Sequence, residues 1–247
     1  MRNFNLFLFL IISHYTFSQS RGVVTYKSST NISTATATKA VQKEEVAQLL
    51  TMVDNAIGKN EFILYFENRI SYFKVKEKIL LDSQQDKMIS NLATKLLSRG
   101  VYFVDSSKDQ IINQFEDNGI TFLIENKISS TKWTLTNEMK KISNYICYKA
   151  TTIFTVNNSS GLHEIPVTAW YTPKIPIPFG PKNYGGLPGL ILELQERNII
   201  FYASTIELKP TEKFNIIKPE KGTKITETEY QKKSSESLTN FKELIGN

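Results

Sequence analysis

Short runs of alternating apolar and polar residues recur along most of the chain, and only two stretches switch to a spacing of three and four. Alternation places one side chain in two on each face of a strand, so the runs predict half-buried strands. Gly22–Lys27 is the first. Glu61–Phe66 and Ile70–Val75 follow, broken at Glu67–Arg69, and then Gln110–Phe115 and Ile120–Ile124, separated by a segment containing Asn118-Gly119. Asn-Gly between β-like runs is a strong hairpin signal, because both residues tolerate positive φ. Lys132–Thr136 precedes a long run from Ile142 to Val156, which the turn cluster Asn157–Gly161 reverses into His163–Tyr171. Pro166 in that last run lacks a donor, so it must sit at an edge, at a bulge, or facing away from a neighbour. Leu190–Leu194 and Ile199–Ala203 close the series around Glu196–Asn198.

The two helical stretches are Val41–Ile57 and Asp86–Leu97. In the first, Val46, Leu49, Leu50, Val53 and Ile57 form one apolar stripe, with Gly58 positioned for a left-handed cap. Ser28–Thr38, rich in Ser, Thr and Ala, reads as a loop. Thr226 and Glu229 have the spacing of a capping box, opening a weak terminal helix that carries Tyr230, Leu238, Phe241 and Leu244. Strands that follow strands through short turns imply antiparallel pairing. The predicted fold is α+β and mainly β: a curved, half-barrel-like antiparallel sheet of hairpins with one or two packed helices.

One segment fits neither pattern. Between Ala169 and Gly189 the chain carries five prolines and four glycines, interleaved with Trp170, Tyr171, Phe179 and Tyr184. Such a segment is stiff and turn-rich. Its large side chains beside rigid turns suit a binding surface, since little conformational entropy is lost on contact. The competing expectation is that the segment folds back and its aromatics plug one end of the sheet. Trp170, Tyr171, Phe179, Tyr184, Leu187 and Pro188 are the candidate binding residues. Gly186 and Gly189 are the candidate turn residues, with Leu187–Leu190 expected to form a type II turn that needs positive φ at Gly189.

The amino terminus adds a compartment. Arg2 precedes the apolar run Leu6–Ile12, and small residues stand at Thr16 and Ser18. This is the pattern of a secretory signal peptide over residues 1–18, cut before Gln19 to leave 19–247 as a single mainly antiparallel β domain with a polar C-terminal segment. The expected location is the periplasm or outside the cell. The Leu6–Ile12 run is far below the roughly 20 apolar residues needed to span a bilayer as a helix, and no later segment comes close. After cleavage, 29 of the 30 basic residues face 24 acidic ones, a net charge of +5. The lysines are scattered among acids, so no nucleic-acid surface is expected.

The residue inventory narrows the chemistry. Cys147 is the single cysteine, and His163 is the single histidine beyond the leader. Neither an internal disulfide nor a site built on several Cys or His residues is available, and no cofactor or metal is expected. A Cys147–His163 dyad fails on geometry. If the chain reverses at Asn157–Gly161, Cys147 lies opposite about Tyr171, some 26 Å along the strand from His163 at about 3.3 Å per residue.

The segment from Trp133 to Leu194 resembles the GLPGLI family of exported proteins from Gram-negative bacteria. The likeness rests on Gly186–Ile191, on Trp133 with Glu138 and Lys141, on Tyr145–Ala150, on Ala169–Thr172, and on Gly180-Pro181 with Tyr184. That family's molecular function is uncharacterised, so the resemblance carries over no catalytic residue. Two functional expectations follow. The first is an exported cell-envelope protein that binds a protein partner or an apolar ligand without catalysis. The alternative is an enzyme with its site near Lys149, Glu193 and the Pro/Gly-rich segment. A cavity without convergent ionisable groups would favour binding, whereas Lys149 and Glu193 meeting a third polar group in a cleft would favour catalysis.

Overall fold

The computed structural model describes residues 20–30, 44–76, 83–158 and 161–235. The signal-peptide expectation, most of the Ser/Thr/Ala tract and the apolar positions beyond 235 lie outside these residues. A twelve-stranded sheet organises the chain, flanked by helices α1 (Glu44–Gly58) and α2 (Gln84–Leu97) and by a terminal helix over 227–235. The strands are β1 (Arg21–Thr30), β2 (Glu61–Glu67), β3 (Ile70–Val75), β4 (Val101–Asp105), β5 (Gln110–Asp117), β6 (Ile120–Asn126), β7 (Thr134–Ile142), β8 (Tyr145–Asn158), β9 (Gly161–Thr172), β10 (Leu190–Glu196), β11 (Ile199–Glu207) and β12 (Thr223–Ile225).

Their spatial order is β12-β6-β5-β4-β3-β2-β1-β11-β10-β9-β8-β7. Two antiparallel meanders, one running back from β6 to β1 and the other from β11 to β7, are thus joined along β1 and β11. The short β12 adds to β6 in parallel. This is the mainly β, α+β architecture that the alternation predicted.

The sheet must curl. β6 and β7 are ten strand steps apart in the sheet, about 48 Å if flat at about 4.8 Å per step. Yet they are consecutive in sequence, and the seven residues from Lys127 to Trp133 reach at most about 28 Å when fully extended. The ends of the sheet therefore turn toward each other, and the inner face becomes a bowl.

Alternation then sorts residues between faces. Val24, Tyr26, Phe62, Leu64, Phe73, Ala169, Leu194 and Phe201 are buried on the inner face, where Val53 and Ile57 of α1 and Ile89, Ala93 and Leu97 of α2 cover them. The helical stripes are narrower than expected. Leu49 and Leu50 of α1 are exposed, as are Met88, Leu92 and Leu96 of α2. Gly58 is the last residue of α1 and does not take positive φ, so the left-handed cap is absent there.

A smaller outer cluster, Phe103, Ile112 and Leu123, is covered by Ile216. The chain after β11 runs along this outer face, where Phe214 packs on Tyr65 and beneath the Arg21 guanidinium. It then pairs as β12 and hooks over the sheet edge. Tyr230 of the terminal helix inserts between Phe115 and Phe122 on the inner face, and Thr226 and Glu229 close the expected capping box.

Local chemistry explains the turns. Asn118 and Gly119 both have positive φ and form the two-residue loop between β5 and β6. The Ile142–Val156 run divides at Ser143-Asn144, because Ser143 takes positive φ and Met139–Ile142 pairs back on Tyr145–Tyr148. Pro166 pairs opposite Ile153 of β8, but the ladder to β10 stops at Val167. The missing donor therefore falls where β9 has outrun its other neighbour.

Candidate functional site

The Pro/Gly-rich segment enters the bowl between β9 and β10. Ile175, Ile177, Phe179, Tyr184 and Leu187 are buried in the main core, while Pro173, Pro176, Gly186 and Pro188 face outward. Backbone hydrogen bonds pin it at both ends: Leu190 N to Ile175 O at 2.9 Å, Ile191 N to Phe179 O at 3.0 Å and Gly186 N to Pro178 O at 3.0 Å. Trp133, in the connection between the two ends of the sheet, donates Nε1–H to Gly185 O at 2.9 Å and packs on Tyr184. The segment therefore forms an inner wall rather than a projecting loop.

Its turns differ from the type II expectation. Leu190 N is taken by Ile175 O, and Gly189 N bonds Leu187 O at 2.8 Å, which is a three-residue inverse γ-turn centred on Pro188. Pro176 centres a similar turn, from Ile177 N to Ile175 O at 2.8 Å. Proline's fixed φ suits that central position. Positive φ occurs at Gly186 (+84°) and not at Gly189. Gly189 is needed for space instead, since a Cβ there would stand 2.1 Å from Thr172 O.

The six sequence-derived binding residues separate. Tyr171, Phe179, Tyr184 and Leu187 belong to the inner core, Pro188 is exposed, and Trp170 lies half-buried on the outer face. There the register aligns Lys149, Trp170 and Glu193 across β8, β9 and β10. Lys149 Nζ bonds Glu138 Oε1 at 2.8 Å, and Lys140 Nζ lies 2.7 Å from Glu193 Oε1 and 4.4 Å above the Trp170 ring. Lys149 and Glu193 thus share a face, but each is neutralised by its own partner. Cys147 is buried nearby, and desolvation pushes its thiol up to about 11, well outside the range of a reactive thiolate. His163 pairs with Val156, far along the ladder from Cys147, as the turn position required.

A cavity of about 520 Å³ opens on the inner face where the two ends of the curled sheet approach without joining. Ile111, Asn113 and Asn126 line it from one end of the sheet, and Thr152, Phe154 and Val156 from the other. The end of α2, the terminal helix and Lys182–Tyr184 complete the wall. Two ion pairs border it. Arg99 Nη2 lies 2.9 and 2.8 Å from the two Glu227 oxygens and its guanidinium stacks on Phe115 and Tyr230. Burial works against the Arg99 charge, but Glu227, with Tyr102 and Tyr230, more than offsets it. Lys182 pairs with Glu196, with side chains only 15% and 16% exposed. Burial, and then Glu196, push the Tyr184 hydroxyl well above its ordinary range, so it remains a neutral donor.

Most of these cavity residues escaped the sequence reading because they come from distant elements. Tyr184 alone was already a candidate, as an aromatic in the Pro/Gly-rich segment. Among the described residues, no group of three or more His, Cys, Asp or Glu side chains could hold a metal ion, and no helix is long and apolar enough to cross a membrane.

The fold and the cavity define a class first: an open, curled, mainly antiparallel sheet whose inner face holds helices, an inserted wall and a ligand-sized space. A family model described as a protein of unknown function (Porph_ging) matches residues 157–193, which span the inserted wall and the strands on either side of it. No curated protein matches the chain. Among solved structures, PNGF-II in a C2 crystal form is similar over 86% of this chain and 32% of that one, with a TM-score of 0.50 and 16% identity. A P21 crystal form of PNGF-II covers 79% of this chain and 29% of that one, at a TM-score of 0.47 and 16% identity. The chain thus spans about a third of the length of PNGF-II, and a likeness at this identity is one of fold alone.

Proposed function

We propose that this is an exported cell-envelope protein of the GLPGLI type that binds a small ligand in the inner cavity without chemically transforming it. The observation that carries the reading is the state of the cavity's charges. Among the described residues, Arg99 and Lys182 are each engaged by a carboxylate, so neither cation nor its acid partner is free to act as acid or base, which favours binding over catalysis. Lys149 and Glu193, the residues on which an enzymatic reading would rest, are ion-paired on the opposite face. A volume near 520 Å³ falls within the usual range of ligand pockets, about 300–1,000 Å³. Export is supported by the N-terminal pattern, and the family assignment by the Gly186–Ile191 run, which lies inside the matched segment apart from the resemblance on its flanks.

The test is stabilisation of the purified chain by the small-molecule fraction of a cell-envelope extract. The expected result is a rise in melting temperature that disappears in Thr152→Phe, which fills the cavity from β8. An equal rise in both proteins, or none in either, would refute the cavity as the binding site.

A further inference from the structure

Resting on that reading, we propose that the cavity takes a neutral, hydroxyl-rich molecule, in the chemical class of mono- and disaccharides, rather than an apolar chain or an anion. Eight of its twenty-one lining residues carry an amide or an aliphatic hydroxyl. Among the described residues, the side chains of Asn126, Thr152 and Asn183 make no hydrogen bond to the protein. They come from β6, β8 and the inserted wall, so free donors and acceptors converge on the space from three sides. Behind them, Asn113 uses its Nδ2 for Arg99 O and Val101 O, at 2.7 and 2.9 Å. Its Oδ1, like Ser98 Oγ, is buried without a partner among the described residues.

The charges exclude the other ligand classes. An aliphatic ligand would strip water from the Lys182–Glu196 and Arg99–Glu227 pairs and from the free amides, giving nothing in return, and unpartnered polar groups are costly to bury. An anion would have to displace Glu196 or Glu227 from its cation. Lys95, at the rim, is exposed and holds no carboxylate among the described residues, so it alone would be left to attract it. A neutral polyol avoids both conflicts. Its hydroxyls donate to and accept from Asn126, Thr152 and Asn183, and they can bridge the outer oxygens of paired carboxylates without breaking the pairs. The half-buried Phe154 ring supplies an apolar surface for the carbon face of such a ligand.

The experiment is saturation-transfer NMR and calorimetry on the purified chain with three probe sets: neutral mono- and disaccharides, the corresponding uronic acids, and lauric acid. The expected result is binding of at least one neutral saccharide, weakened about five- to tenfold in each of Thr152→Val and Asn183→Ala, as loss of one hydrogen bond implies. Both positions are only partly buried, so these variants retain the fold, which a thermal melt verifies. Failure of every neutral saccharide, or binding indifferent to both variants, overturns the proposal. If lauric acid or a uronic acid binds instead and Thr152→Phe abolishes that binding, the ligand class is wrong while the cavity remains the site. If no probe binds and the envelope extract also gives no stabilisation, both readings fall.

Discussion

Gly189→Ala tests why the Gly-Leu-Pro-Gly turn needs its last glycine. The added Cβ would stand 2.1 Å from Thr172 O, 2.5 Å from Thr172 C and 2.9 Å from Pro173 N. All three are backbone atoms at the end of β9, the strand paired with β10, and just beyond it, so no side chain can swing aside. Relief requires Leu190 to part from Thr172, or the start of β10 to lift from Ile175 O and Phe179 O in the wall. Overpacking of this kind costs about 1–3 kcal/mol, and rigid backbone on the opposing side puts it at the upper end, about 2–3 kcal/mol. For a domain of this size each kcal/mol lowers the melting temperature by about 2–4 °C, so a loss of roughly 4–12 °C is expected in a thermal melt followed by circular dichroism. Two other glycines calibrate the effect. Gly186→Ala meets only the Ile128 methyl at 3.1 Å but must hold φ at +84°, a strain of about 1 kcal/mol. Gly58→Ala, in α1 with nothing within 4 Å of the new Cβ, should be neutral or stabilising by up to about 1 kcal/mol. A Gly189→Ala protein that melts with the parent, or one that melts above Gly186→Ala, would refute the steric account.

Cys147→Ala should fold and lose about 1 kcal/mol, as a small buried cavity implies; ligand binding lost with the fold intact would contradict the inert role. Burial raises the thiol from its ordinary value of 9.0 to about 11. A folded-state value above the unfolded one gives stability that is fully present below pH 9 and declines as pH rises toward 11. Denaturant titrations over that window should show a steeper loss in the parent than in Cys147→Ala, and parallel curves would disprove the linkage. Glu227→Ala removes the carboxylate that holds Arg99 and should increase hydrogen exchange in the terminal helix while leaving β1, β2 and β11 unchanged; undisturbed protection there would mean that Tyr230 alone anchors the helix. N-terminal sequencing of the mature protein should begin at Gln19, and an intact Met1 would refute export by signal cleavage.

Much of the sheet was legible because alternation and turn chemistry are local. Asn118-Gly119 marked its hairpin, and the Thr226–Glu229 spacing marked the terminal helix. Val101–Asp105 escaped as a separate strand because Tyr102 to Asp105 are all buried, which hides the period of two. At Leu190–Leu192 the period fails for another reason. A bulge between Ile191 and Glu193 interrupts the alternation, and three successive residues are fully buried; the Ile191 carbonyl accepts the buried Tyr26 hydroxyl at 2.6 Å. Of the cavity, only Tyr184 was legible. The bordering pairs, Arg99 with Glu227 and Lys182 with Glu196, depend on the curl of the sheet, and no local pattern encodes that curl. Lys149 and Glu193 drew notice as charges within strands, and their register does align them, but alternation cannot say which face of the sheet lines the bowl.

The junction between β1 and β11 also bears on how the molecule assembles. Every other antiparallel pair joins strands that are neighbours in sequence, whereas this seam pairs Thr30 with Ile199 and Val23 with Glu207. Closing a loop of roughly 170 residues costs about 2.5 kcal/mol more in chain entropy than closing one of about ten. β1 must therefore wait until β11 has been synthesised. The meanders can zip early from their own turns, while the seam that fuses them into one bowl forms late and sets the refolding rate. Until it closes, β1 and β11 each offer an unpaired edge to other chains, so the interval before closure is when this protein is most exposed to aggregation.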